Sequence, residues 1–311
     1  MNEDDINFKT ELILSENKVN KKDIVVGVTG GNGFIGRKIV NKLYEEGIKV
    51  ISLQKTNTSR SKCETRFFNL SRLETINEEL LNGINIIVHT AGLVHKNNSK
   101  RELYKLMNTD ATLKLYDLSN ILEINKFIFL STVGVYGKAS HTSPIDIKFP
   151  TSPKNEYGYS KLQSENYLLN NMSKNKRPKI SILRLPLVTG KNAPGNYGLL
   201  EKLSKTILPL PLGCANNNRT VISIEMLVDI VFQSCIDIEL NQGLNLIGGN
   251  KPVSTKDLIL NLKTDMGLQP KFISIPKSLI KFCLSIIGKK KIYEQLFEDL
   301  IFIDSTKNNK N

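Results

Sequence analysis

Short apolar runs, each followed by a stretch with helical spacing, set the rhythm of the chain from residue 23 onward. Residues 24–29 (Ile-Val-Val-Gly-Val-Thr) read as a buried strand, 34–46 as a helix that Gly47 stops, and 48–53 as a second strand. Further strands are predicted over 85–90 and 126–131, helices over 101–121 and 156–172, and another strand over 179–185. These strands are apolar throughout instead of alternating with polar residues, as expected where both faces are covered. Strand–helix–strand repetition then predicts an α/β fold, a Rossmann-type doubly wound parallel sheet. After Pro186 the rhythm changes, with Pro and Gly punctuating 186–213 and shorter mixed elements beyond. The expected organisation is a polar N-terminal extension (1–22), a sheet domain (23–185), and a smaller mixed α/β lobe (186–311) that returns some elements to the first domain.

Composition narrows the picture by exclusion. With 40% hydrophobic and 23% charged residues among 311, the chain is neither disordered throughout, nor a fibre, nor an integral membrane protein. Lys and Arg exceed Asp and Glu 43 to 30, a net charge of +13 that invites a nucleic-acid reading. Only 8 of those cations are Arg, and the lysines are scattered, so no nucleic-acid partner is expected. Cys63, Cys214, Cys235 and Cys283 form no metal or disulfide pattern, and Met1-Asn-Glu-Asp-Asp begins no export signal, so a cytoplasmic protein without a metal site is expected. Residues 278–288 are apolar but too short to span a bilayer, contain Lys281 and end in Lys289-Lys290-Lys291. A buried amphipathic helix is expected there, with membrane-surface contact as the alternative.

Two motifs carry chemistry. Thr29-Gly30-Gly31-Asn32-Gly33-Phe34-Ile35-Gly36 lies between the first strand and first helix. Gly30 allows a tight turn, Gly33 lets a pyrophosphate approach the backbone, Gly36 allows close helix–strand packing, and the helix N-terminus offers N–H groups to phosphate. Tyr157-Gly-Tyr-Ser-Lys161 places a phenol and an ammonium at i and i+4 on one helix face. The ammonium is expected to favour the phenolate and so let Tyr157 exchange a proton near neutral pH. Ser131 and Thr132 end a central strand, where open α/β sheets hold their ligands.

Together, the glycine motif, Phe129-Leu-Ser-Thr-Val-Gly-Val-Tyr-Gly137 and Tyr157-x-x-x-Lys161 resemble the extended short-chain dehydrogenases/reductases of the nucleotide-sugar epimerase/dehydratase family. The UDP-glucose 4-epimerase-like subgroup, which includes UDP-4-keto-6-deoxy-N-acetylhexosamine 4-reductases, is the most similar. The resemblance runs from about residue 23 to 307 and extends to His89-Thr-Ala-Gly92, Asn108-Thr109, Leu183-Arg-Leu-Pro-Leu-Val-Thr-Gly190, Gly195-Asn196, Leu208-Pro-Leu-Pro-Leu-Gly213 and Asn218-Arg-Thr-Val-Ile222. It implies a cofactor, NAD or NADP, held by Gly30, Asn32, Gly33, Phe34, Ile35, Gly36, Gln54, Asn69, Leu70, Ala91, Tyr157 and Lys161. It further implies that Thr132, with Ser131, orients the C4 oxygen of a UDP-sugar. Tyr157 would be the general acid/base, Lys161 would hold the nicotinamide ribose, and Asn196 and Arg219 would face UDP. A homodimer through the helices near 101–121 and 157–172 is implied as well. His89 is expected to pack, and His95 and His141 have no assigned role.

The departures from the family pattern bear on cofactor and substrate. Leu53-Gln54-Lys55, with Arg60 downstream, lacks the acidic residue that often meets the adenosine ribose, which opens the site to NADP while still suiting NAD. Asn69 stands where Asp is common, with an amide oxygen expected to accept one bond near the adenine. An Arg expected to grip UDP is replaced around Gln295, and the chain ends at Asn311, earlier than relatives with a further closing segment. Two activities at C4 compete, a ketoreductase, favoured by Gln54-Lys55, and a 4-epimerase with retained NAD. The resemblance points to surface polysaccharide precursor synthesis; a non-catalytic dinucleotide-binding regulator is the alternative of another class.

Overall fold

The computed structural model describes residues 23–56, 62–94, 100–174, 176–249 and 251–306. The N-terminal extension, Arg60, His95 and Lys307 lie outside the described residues. Seven parallel strands form the main sheet, in the order β3 (Glu64–Phe67), β2 (Lys49–Gln54), β1 (Val25–Thr29), β4 (Ile86–His89), β5 (Lys126–Thr132), β6 (Lys179–Leu185), β9 (Gly243–Leu246). The strand order reverses direction between β1 and β4. That switch point opens a crevice at the C-terminal ends of the strands.

Alternation along each strand supplies both helix layers. Val26, Val28, Ile128 and Leu130 face one side, where they pack with Ile39 and Leu43 of α1 (Phe34–Glu45) and Leu227 and Val231 of α7 (Ile224–Ile236). Ile87, Phe127, Phe129 and Ile182 face the other, meeting Leu80 and Leu81 of α2 (Glu78–Leu81), Leu115 and Tyr116 of α4 (Ala111–Ile121) and Leu168 of α5 (Glu156–Met172). The helical pattern predicted over 101–121 is realised in three pieces, α3 (Arg101–Tyr104), a π-helical stretch Lys105–Asp110, and α4.

Beyond β6 the chain builds a lobe from β7 (Leu187–Thr189) paired with β8 (Val221–Ser223), α6 (Gly195–Ser204), α8 (Thr255–Asp265), α9 (Lys277–Ile286) and α10 (Lys290–Phe297). This region also feeds the main sheet: α7 packs on α1 and β9 lies beside β6. The final described segment ties the two together, since Leu300 bridges to Arg219, Phe302 bridges to Ile145, and Ser305 N donates to Leu246 O at 2.9 Å.

One sequence expectation is overturned here. The apolar stretch 278–288 forms a helix, but α9 contains no buried residue. Its pattern carries more apolar surface than one neighbour covers: Ile280 and Leu284 reach the lobe core, and the remaining large side chains face outward.

Candidate active site

The glycine turn has the shape the motif demands. Gly30 adopts φ +67°, a left-handed conformation that glycine accepts without strain. A Cβ on Gly36 would lie 2.2 Å from Gly30 O, so only glycine lets α1 approach the turn this closely. At Gly33 a Cβ would meet Gly30 O at 3.1 Å and nothing else within 4 Å, which leaves space before the helix. No side chain caps α1 and no acidic residue occupies its first turn. Asn77, Asn155, Ser223 and Ser254 cap α2, α5, α7 and α8, whereas α3, α6, α9 and α10 start uncapped like α1, so it is the glycine turn in front that distinguishes α1. An open cradle before the uncapped positive end of a helix dipole suits a pyrophosphate, so these residues fit a dinucleotide. Exposed Asn32 donates to Thr56 Oγ1 at 3.2 Å, Phe34 and Ile35 are half-buried against the α1–α7 layer, and half-buried Ala91 donates its N–H to Thr29 Oγ1 at 3.1 Å.

The adenosine side differs from expectation. Gln54 is buried and accepts a hydrogen bond from Ser52 Oγ at 3.1 Å, with exposed Lys55 next in the chain. Asn69 Oδ1 accepts from both Ser71 N (3.1 Å) and Ser71 Oγ (2.9 Å). The turn consumes both lone pairs, so the amide oxygen expected to accept a bond near adenine is already committed. Leu70, beside it, is buried in the α2–α4–α5 layer.

From α5, the helix that also carries Tyr157, Lys161 reaches the C-terminal part of β5. Lys161 is buried, donates from Nζ to Leu130 O at 2.9 Å, and sits 4.4 Å from the centroid of the Phe129 ring. Desolvation brings its ammonium down to about 8, opposed by Glu165. Burial, reinforced by Tyr104, pushes the Tyr157 phenol up to about 12. The expected depression by Lys161 is therefore not what this structure shows: desolvation of the phenolate raises the phenol instead. His89 is a packing residue, as expected, held between Thr29 Oγ1 (2.7 Å) and Thr112 Oγ1 (2.9 Å), stacked on Phe129 and kept neutral by burial, which lowers its pKa to about 3.

Ser131 and Thr132 separate. Ser131 Oγ hydrogen-bonds Glu165 Oε1, whose carboxylate receives Arg184 Nε (3.1 Å to each oxygen) and Arg184 Nη2 (2.7 Å). Arg184 Nη1 also donates to Tyr136 Oη at 2.9 Å. Ser131 thus belongs to a buried network, and its hydroxyl turns toward Glu165 instead of toward a substrate oxygen. Thr132 is half-buried, and its Oγ1 accepts from Gly134 N at 3.0 Å, starting the turn that leads away from β5.

On the substrate side, Asn196 is exposed in the first turn of α6. The Arg219 guanidinium donates to the carbonyls of Ala139 (3.3 Å), Glu298 (3.0 Å) and Glu294 (3.4 Å). Burial lowers its pKa to about 10, opposed by Asp299, so it stays cationic at neutral pH.

Sequence reasoning gave no role to Asn108, Gly92, Glu165, Arg184 or Tyr136. Asn108 clamps Leu93 by accepting from its N–H (2.7 Å) and donating to its carbonyl (2.9 Å), and donates to Ser160 Oγ at 3.0 Å. It lies in the π-helical stretch, a local widening common at functional sites. A Cβ on Gly92 would lie 3.3 Å from Asn108 Oδ1 and 3.6 Å from Lys161 Nζ. Glu165 was legible in principle as the i+4 continuation of the Tyr157–Lys161 face.

A doubly wound sheet with a glycine turn at its switch point and a Tyr-x-x-x-Lys helix beside it defines a dinucleotide-dependent dehydrogenase-type enzyme. Family comparison makes this specific: residues 26–231 match the NAD dependent epimerase/dehydratase family, and the chain belongs to it. It is accordingly an enzyme whose cofactor is NAD or NADP. The chain is 26% identical over 279 residues to a UDP-glucose 4-epimerase of Vibrio cholerae, covering 86% of this chain and 84% of that protein. It is 28% identical over 268 residues to a dTDP-4-dehydro-6-deoxyglucose reductase of Escherichia coli, covering 78% and 84%. Among solved structures, the Bordetella bronchiseptica enzyme WbmH in complex with NAD+ superposes with a TM-score of 0.72 at 17% identity, covering 92% of this chain and 91% of that one. Among the described residues no helix is long and apolar enough to cross a membrane, and no group of three or more His, Cys, Asp or Glu is placed to hold a metal ion.

Proposed function

We propose that this enzyme acts on a sugar nucleotide and moves a hydride at C4 of a UDP-hexose or UDP-N-acetylhexosamine, with 4-ketoreduction favoured over 4-epimerisation. What supports the reading is Lys161 reaching from α5 to the Leu130 carbonyl near the end of β5, with Tyr157 one turn before it on the same helix, together with a glycine turn that fits a pyrophosphate. The relationship to both an epimerase and a 4-keto-sugar reductase supports chemistry at C4. When bound, the nicotinamide supplies or accepts the hydride. The chain's own residues handle the proton and the geometry. Tyr157 protonates the C4 oxygen in reduction and takes that proton in oxidation, Thr132 orients the oxygen, and Lys161 holds the nicotinamide ribose. Ser131, bonded to Glu165, acts as a positioning residue.

Pushed up to about 12 by burial, the Tyr157 phenol carries its proton at neutral pH, the protonation state from which reduction starts. Gln54 and Lys55 present no carboxylate to repel a 2′-phosphate, which suits an exchangeable NADPH as well as NADH. Arg219, cationic and partly desolvated, suits the diphosphate, with Asn196 beside the nucleotide. The enzyme is further read as a cytoplasmic homodimer joined through the helical stretches near 101–121 and 157–172, acting in surface polysaccharide precursor synthesis.

The second reading, a 4-epimerase with retained NAD, rests on the relationship to the Vibrio cholerae enzyme. Mass spectrometry of co-purified nucleotides, followed by incubation with UDP-N-acetylglucosamine without added cofactor, separates the two. The expected outcome is no C4 epimer, with NAD(P)H oxidation once a UDP-4-keto sugar is supplied. Epimer formation without added cofactor would replace the reductase reading.

A further inference from the structure

The outer face of α9 departs most from the usual partition of side chains. Leu279, Phe282 and Ile286, with Ile287 just past the helix end, are 52%, 64%, 68% and 60% exposed. The first three recur at i, i+3 and i+7, a single stripe along the helix. Ile273, on the strand-like segment leading into α9, is 49% exposed. The opposite side anchors the helix, with Ile280 and Leu284 against Phe272, Tyr293 and Leu296. Along the sequence, the charge flanking the stripe has one sign. Between Asp265 and Glu294 the sequence has no acidic residue and six lysines (Lys271, Lys277, Lys281, Lys289, Lys290, Lys291), all exposed.

We propose that α9 and lysines 289–291 dock this enzyme peripherally on an anionic lipid surface. A bilayer interface accepts what this face offers. The apolar stripe enters the boundary between headgroups and acyl chains, while flanking lysines extend along it and place their ammonium groups among the phosphates. Ten helical residues lie in such an interface and do not cross it. A second copy of the chain fits the face poorly, because a two-fold contact through α9 would press two lysine clusters together. Nucleic acid would use the cations and leave the apolar stripe in water. Docking would also place the membrane close to Arg219, which the proposed function puts on the substrate side: α10, which packs against α9, and its C-cap Glu298 carry the Glu294 and Glu298 carbonyls that hold it.

The full chain should co-sediment with phosphatidylglycerol-containing vesicles and not with pure phosphatidylcholine. Binding should fall when salt rises from about 0.1 M to about 0.5 M. Replacing lysines 289–291 by Glu should lower the vesicle partition coefficient by about a hundredfold or more, at roughly fivefold per lysine. Phe282→Ser with Ile286→Ser should lower it by about tenfold or more at unchanged net charge. Circular dichroism melts show whether the variants remain folded, and the lysine variants, which leave all apolar packing intact, give an independent reading if the serine pair does not. Absence of binding to anionic vesicles at low salt overturns the proposal. So does binding that the serine pair leaves unchanged, since the +13 charge alone would then explain it. Sedimentation velocity showing that the serine pair only dissociates an oligomer, or selective binding of acidic proteins with no lipid binding, overturns it equally.

Discussion

The interior between β5, β6 and α5 and the outer face of α9 break the usual inside–outside rule in opposite directions. The first encloses Ser131, Lys161, Glu165 and Arg184 where apolar residues are the norm, and the second leaves Leu279, Phe282 and Ile286 in solvent. Single exposed apolar residues are ordinary, whereas buried charges and contiguous apolar patches call for a reason. Inside, the reason is geometry. Each buried charge is bonded, Glu165 to Arg184 and Ser131, Lys161 to the Leu130 carbonyl. Such a network fixes how the helix carrying Tyr157 sits on the strand carrying Thr132. Outside, Leu279, Phe282 and Ile286 are exposed apolar side chains with no polar group to bond, and the proposed lipid contact is what would cover them.

The sharpest test of the interior is Tyr157→Phe, which keeps the ring and removes the ionisable oxygen. Turnover should drop by about 10² to 10⁴-fold while cofactor binding, measured by fluorescence titration, stays near wild type. Because burial sets the phenol at about 12, the sign of the pH dependence follows. Reduction, which needs the protonated phenol, should be flat through neutral pH and fall only in the strongly alkaline range. Oxidation of the hydroxyl should rise over the same range. A Tyr157→Phe enzyme retaining a third of wild-type turnover, with chemistry rate-limiting, would leave the interior as scaffolding only.

How far this was legible from sequence depends on the range of the interactions. The continuous apolar strands and the glycine turn are local signals, and five of the seven sheet strands were predicted from that rhythm; β3, Glu-Thr-Arg-Phe at the sheet edge, is polar and carries no such signal. The strand β9 was not foreseen as part of the sheet, since its partner β6 lies some sixty residues earlier and Gly243–Leu246 is short. The division of Ser131 from Thr132 was available from strand alternation. Phe127 and Phe129 face α5, so Ser131 continues that row and Thr132 does not. Asn69 shows the limit: its residue type suits the cofactor, but Ser71, two positions on, satisfies its oxygen first. For α9, periodicity identified the helix and not its surroundings, because an apolar stripe looks the same whether or not something covers it.

Glu165→Ala gives the next largest effect. It strands the Arg184 guanidinium, itself 4% exposed, beside Tyr136 without its carboxylate. Removing one partner of a buried pair typically costs about 3–5 kcal/mol, so the urea midpoint should fall by a corresponding margin. Adding Arg184→Met should recover part of the loss, because the second change removes the unpaired charge instead of adding a second defect. If the double variant is as unstable as the sum of the singles, Glu165 and Arg184 are not coupled as the geometry requires.

Phe282→Ser should produce the smallest change in stability, which sets the two regions apart most directly. The Phe282 ring is 64% exposed, so folding removes little of it from water and its truncation leaves no cavity. A shift within about 0.5 kcal/mol is expected in chemical denaturation, as for ordinary surface positions. Phe129, fully buried and stacked with His89, provides the reference. The same loss of an aromatic ring there, as Phe129→Ala, should cost about 3–5 kcal/mol. The near-zero value for Phe282 matters because a residue retained for folding would show its worth in the isolated protein. One retained for contact with another surface shows it only when that surface is present. A loss of 2 kcal/mol or more from Phe282→Ser alone would mean that α9 is packed more deeply than its exposure indicates, and the contrast between the two regions would collapse.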